Sequence, residues 1–203
     1  MANWVNVHLD VRGLPTDVER FRRAAGAKVG RIDTTRSAVF TPEMEHGETA
    51  DLVADPLRRF GDHFRTATYR FQGRYDDHVD HFQAVSRQFP ALAFVLAYSD
   101  PNCDDHGSYL LLRGRRRRWV VPPAMRSRIL RERLARHGLS ADIYGTPAED
   151  SDDLFWAENE AYWEMLEVAA RHWESAVLQW LTRNAAAARP TRRVERTEPT
   201  VPR

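Results

Sequence analysis

The sequence predicts an α+β fold, a mainly antiparallel sheet with helices on one face, and three observations predict it. Residues 3–13, NWVNVHLDVRG, alternate: Val5, Val7, Leu9 and Val11 face one way, and Trp4, Asn6, His8 and Asp10 the other. That is the period of a half-buried strand. ATYRFQGRY, 67–75, alternates again, with Tyr69, Phe71, Gly73 and Tyr75 on one face. A helical pattern follows each of these strands, and the apolar run ALAFVLAYS, 91–99, follows the second helix. Strand and helix in that order describe a split βαβ, or ferredoxin-like, sandwich.

Gly13 and Pro15 close the first strand, and Thr16 or Asp17 caps a helix over 17–26 whose apolar face is Val18, Phe21, Ala24 and Ala25. Residues 31–66 carry no firm assignment. RSAVFT could form a short strand before Pro42, EMEHGETAD reads as loop, and PLRRFGDHF as one or two helical turns. The second helix spans 77–88, with Val79, Phe82, Val85 and Ser86 as its stripe, and Phe89-Pro90 stops it. Strand 91–99, the turn PNCDDHG and SYLLLRG at 108–114 make a hairpin. RRRRWVVPP leads into a helix over 123–137, with Gly138 where a left-handed cap belongs. A long helix follows over 152–186. RPTRRVERTEPTVPR, 189–203, has almost nothing to bury and should be disordered. The expected organisation is a ferredoxin-like unit at 1–122, a two-helix extension at 123–188 and a tail at 189–203.

ANWVNVHLDVRGLPTDVERFRRAA resembles the opening of the YubB-type ferredoxin-like family, whose members begin with an Asn-Trp pair, a strand ending in Gly and a helix carrying Arg-Phe. FQAVSRQFPALAFVLAYSD is similar to that family's second helix, Phe-Pro junction and Tyr-containing strand. The resemblance implies the fold and a plasmid- or phage-borne setting, and no activity.

Composition narrows the function classes. A chain of 203 residues buries enough surface to fold without staples. Its single cysteine, Cys103, excludes an internal disulfide framework and fits a reducing compartment. Asp10, Arg12 and Asp17 interrupt any leader-like apolar run near Met1, and the longest such run, Ala91–Tyr98, is far below the ~20 residues a membrane span needs. The expectation is a cytoplasmic protein with no membrane partner. No glycine-rich phosphate loop or nucleophile elbow is present.

Three stretches hold candidate sites. In YDDHVDHF, 75–82, His78 and His81 are three residues apart on one helix face, and the DDH at 104–106 adds His106 if its turn lies near the helix start. Those histidines could ligate a metal in a small hydrolase; alternatively, Asp76 or Asp77 simply caps a surface helix. In RGRRRRW, Arg115, Arg116, Arg117 and Arg118 suit phosphate oxygens and Trp119 could stack on a base, with Arg192 and Arg193 of the tail assisting. Alternatively the charges pair internally, since 113–137 holds ten Arg against Glu132 while 142–167 holds nine acids and no base. In the long helix, Trp156, Trp163, Trp173, Val177 and Trp180 form an aromatic stripe. A straight helix over 152–186 would run about 50 Å, more than one sheet covers, so Trp173, Val177 and Trp180 are expected to be a homodimer seam. The reading is a non-enzymatic binding or interaction protein from a mobile element, possible nucleic acid and a second copy as partners, and no cofactor; the alternative is the metal-dependent hydrolase.

Overall fold

The computed structural model describes residues 4–26, 29–40, 49–74, 78–101, 103–140, 142 and 151–187. Asp76 and Asp77, as caps, and the tail, with Arg192 and Arg193, lie outside them. The alternating residues at the start form β1, Trp4–Gly13. Helix α1, Pro15–Ala24, has Leu14 at its N-cap position, ahead of the expected Thr16 or Asp17 cap. Pro15 occupies its first turn, where a missing N–H costs nothing and a fixed φ favours the helix. Two short strands, β2 (Gly30–Arg31) and β3 (Thr49–Ala54), precede β4 (Arg58–Phe60) and β5 (Phe64–Arg74). The expected helical turns in PLRRFGDHF are therefore the β4–β5 hairpin, turning at Gly61 with φ +59°. Then come α2 (Val79–Gln88), β6 (Ala93–Asp100), β7 (Asp105–Leu112) and β8 (Arg115–Val120). Helices α3 (Pro123–Arg136), α4 (Asp152–Arg171) and α5 (Glu174–Ala187) end the described chain.

These strands make one eight-stranded sheet in the order β2-β3-β5-β1-β6-β7-β8, with β4 also paired to β5, and every pairing is antiparallel. The sheet is larger than a four-stranded sandwich because β2, β4, β7 and β8 add to it. Arg113 and Gly114 join β7 to β8 with φ of 53° and 78°. Two positive φ values suit a two-residue hairpin whose twist matches that of the strands.

One face of the sheet carries Val5, Val7, Leu9 and Val11, and α1 and α2 close over it with Phe21, Phe82 and Val85. The other face is covered by α4 and α5, so the structure has three layers. The expected single helix over 152–186 is broken at His172 and Trp173. The break keeps both halves on the sheet. Leu166, Ala169 and Ala170 of α4 pack on Ala97 and Val121. Val177 and Leu181 of α5 pack with Phe64, Ala93, Val95 and Leu110.

The residues of the expected dimer seam lie instead against the chain's own sheet. Val177 is fully buried, Trp173 and Trp180 lie against the same cluster, and Trp173 Nε1 donates to Ser108 Oγ at 2.9 Å. The cover thought to be missing within the chain is the far half of the sheet. The first half of the stripe turns away from the sheet. Helix α3 packs on Leu154, Ala157, Ala161 and Met165, the small alanines letting the helices approach closely, while Phe155 (62% exposed), Trp156 (55%) and Trp163 (39%) face outward. No described helix is long and apolar enough to cross a membrane.

Candidate functional site

Strand β8 is an edge strand, and its alternation divides the arginines between two faces. Leu112 and Leu110 of β7 lie opposite Arg115 and Arg117, and Ser108 opposite Trp119, so these three β8 side chains share the α4–α5 face. Arg116 and Arg118 point to the other. There both are paired: Arg116 Nη1 lies 2.6 Å from Asp80 of α2, and Arg118 Nη2 donates to Asp105 at 2.5 Å and to the Tyr98 hydroxyl at 2.7 Å. Trp119 is half-buried and its ring lies on the His172 ring, centroids 4.1 Å apart and nearly parallel. That face of the indole is already taken by a protein ring.

Arg115 and Arg117 are exposed and form no ion pair with a carboxylate among the described residues. They line a trough of about 670 Å³ between β8 and α5, together with Arg113, Arg183, Trp180 and Gln179, and among the described residues no acidic side chain lines it. Arg113 is held by neutral groups, donating to Pro90 O and, at 2.7 Å, to Asn184 Oδ1, with its guanidinium 5.6 Å from the Trp180 ring. Its charge is therefore directed but not neutralised. The internal pairing weighed for the basic segment is realised elsewhere. Arg133 of α3 bridges Glu160 (3.0 Å) and Glu164 (2.6 Å) of α4, and Arg126 pairs with Asp104 at 2.6 Å. The chain thus sorts its basic segment into paired arginines and a set left free.

The three histidines do not converge. His81 Nε2 lies 2.6 Å from Val39 O and His78 rests against Phe71, both under the α1–α2 layer. His106 is on the opposite face of the sheet, bonded to Ser99 Oγ at 2.9 Å and stacked on Tyr162 of α4. Strand alternation sends the His106 imidazole to the layer opposite α1 and α2. Burial pushes the His106 imidazole below its ordinary range, against the opposing pull of Asp104. Among the described residues no three His, Cys, Asp or Glu side chains form a group that could hold a metal.

A second charged centre was not singled out in the sequence. His8, Asp10 and Arg12 follow one another on the α4–α5 face of β1, opposite Arg70, Thr68 and Thr66 of β5. Asp10 and Arg12 are buried. Asp10 Oδ2 accepts from Arg12 Nη2 at 2.6 Å, and its Oδ1 accepts from Thr68 Oγ1 at 2.5 Å and lies 3.1 Å from His8 Nε2. Burial alone would raise this carboxyl; the His8 bond, the His8 and Arg12 charges and the Thr68 hydroxyl outweigh it and hold it far below the usual carboxylate range. The Arg12 guanidinium lies 4.5 Å from the Phe60 ring, and its Nε and Nη1 are buried without a hydrogen-bond partner. Unmatched buried donors cost about 1–3 kcal/mol each. The signal available in the sequence was a charged row, His8-x-Asp10-x-Arg12, on a strand whose other face is wholly aliphatic. It gains meaning only once β1 is known to be central, where Asp10 and Arg12 are buried.

Compared with protein families, with curated proteins and with solved structures, the chain matches none.

Proposed function

We propose that this protein is a non-enzymatic binding protein that holds a single-stranded nucleic-acid backbone along the trough between β8 and α5. The observation carrying the reading is the set Arg113, Arg115, Arg117 and Arg183, four guanidinium groups on one concavity with no carboxylate among its lining residues. Arginine forks suit phosphate oxygens, and a trough of this kind follows a single strand more readily than a duplex. The four strands β3, β5, β1 and β6, in that order and joined through α1 and α2, support a ferredoxin-like unit at the centre of the larger sheet. The YubB-type resemblance supports a setting in a mobile genetic element, and hence a cytoplasmic site of action. The metal-dependent hydrolase has lost its geometric basis, because His106 and the pair His78 and His81 belong to opposite faces.

Fluorescence anisotropy with labelled single-stranded DNA and RNA oligonucleotides tests the reading. Binding should weaken steeply with salt, with a log–log slope of about −0.7 per phosphate contacted. It should be lost in Arg115→Ser/Arg117→Ser/Arg183→Ser. Absence of binding at low salt, or binding unchanged in that variant, overturns the proposal. The arginines would then serve only to guard an exposed sheet edge against pairing.

A further inference from the structure

We infer that the recess between β1, β4 and the α4–α5 junction binds a small ligand through an oxyanion group, a carboxylate or a phosphate, seated against Arg12, Arg58 and Arg59. The recess holds about 310 Å³ and is lined by His8, Asp10, Arg12, Arg58, Arg59 and Phe60 on the sheet side and by Glu167, Ala170, Arg171 and Glu174 on the helix side. That volume is at the lower end for small-molecule sites.

The donors are present and the acceptors are missing. The Arg12 side chain is only 4% exposed, yet just one of its nitrogens, Nη2, has a carboxylate within hydrogen-bond distance. Nε and Nη1 are themselves buried and find no acceptor among the described residues. Asp10 cannot turn to serve them, because both of its oxygens are engaged by Arg12, His8 and Thr68. Glu174 is the next carboxylate, half-exposed and 3.9 Å away, too far for a hydrogen bond. Arg58 reaches in to donate to Thr68 Oγ1 at 2.8 Å and stands 3.9 Å from Asp10. Arg59 on the same strand is exposed and unpaired among the described residues. On the helix side Arg171 is engaged by Glu167 at 3.2 Å. The recess lining counts Arg12, Arg58, Arg59 and Arg171 against Asp10, Glu167 and Glu174, a surplus of positive charge beside buried N–H groups that have no acceptor among the described residues. An oxyanion supplies both the missing charge and the missing acceptors. Phe60, whose ring lies over the Arg12 guanidinium, gives an apolar wall for the rest of the ligand.

This site is on a different part of the sheet from the β8 trough, and the two fail independently. The test follows the arginine Nε–Hε resonances of the isotope-labelled full chain during titration with inorganic phosphate and, separately, acetate, at ionic strength held constant with chloride. The Arg12 resonance should move saturably with at least one of the two, and the preferred anion identifies the head group. Arg58→Gln/Arg59→Gln, which changes only exposed side chains and whose fold is checked by the amide spectrum, should weaken that binding about tenfold or more. Arg115→Ser/Arg117→Ser should leave it unchanged. An Arg12 resonance that moves with neither anion overturns the inference, as does an unchanged titration in Arg58→Gln/Arg59→Gln.

Discussion

The central strand β1 and the edge strand β8 both place arginines on the sheet face that α4 and α5 cover, and the two sets live in opposite circumstances. Arg12 has sheet on both sides and the α4–α5 junction above, so its charge is desolvated and depends on Asp10. Arg115 and Arg117 border open solvent, so they persist without a carboxylate partner among the described residues. The same residue type is a structural liability at the centre of a sheet and a free charge at its edge. Position in the strand order, not the identity of the side chain, decides which.

The sharpest way to break that comparison is to remove the carboxylate from each environment. Asp10→Ala leaves Arg12 buried without its partner and should cost about 3–5 kcal/mol, read from urea denaturation. Asp105→Ala, which frees the edge-strand Arg118, should change stability by less than about 1 kcal/mol, because that pair is solvent-screened. Comparable losses from the two variants would mean that the Asp10–Arg12 pair is better hydrated than its burial indicates.

The same contrast between covered and open positions extends along α4. Leu166→Ala opens a cavity against Ala97 and Val121 and should destabilise by about 2–5 kcal/mol. Trp156→Ser, on the outward face, should stay within about 0.5 kcal/mol. A large loss from Trp156→Ser would show that another surface covers that face in solution.

A smaller effect lies with His106, on β7 between centre and edge. Its imidazole is held below the ordinary 6.5 first by burial, with Asp104 and Asp105 opposing and Arg126 adding to the shift. The unfolded chain takes up a proton near 6.5 while the folded chain still refuses it. Stability should therefore fall as pH drops from about 7 towards the depressed folded value, and level off below it. His172, stacked on Trp119 and shifted the same way by burial, contributes in the same direction. Denaturation midpoints between pH 7 and 5 should show a flatter profile in His106→Gln than in the parent chain.

Much of this architecture was legible in the residues. The alternation of 3–13 located β1, the apolar run at 91–99 located β6, and SYLLLRG located its antiparallel partner β7. Helix α3 ends beside Gly138, whose φ of +72° is the left-handed cap expected there. What was hidden depends on neighbours. Four consecutive arginines show no period of two, so β8 became visible only through its pairing with β7. The Trp173 and Trp180 seam rested on one straight helix; a two-residue break turned it inward. For the candidate trough, the sequence shows a basic stretch at 115–118, but only the strand register separates Arg115 and Arg117, which are free, from Arg116 and Arg118, which Asp80 and Asp105 hold.

That separation is also where the account is most directly tested. Oligonucleotide affinity should be measured by anisotropy, at one low salt concentration, for Arg115→Ser/Arg117→Ser and Arg116→Ser/Arg118→Ser. The two variants remove equal charge from the same strand. If the trough between β8 and α5 is the binding surface, the first should weaken binding about tenfold or more and the second only a few-fold. Equal losses would mean that net charge alone attracts the strand, and a larger loss in the second would place the site on the opposite face of the sheet.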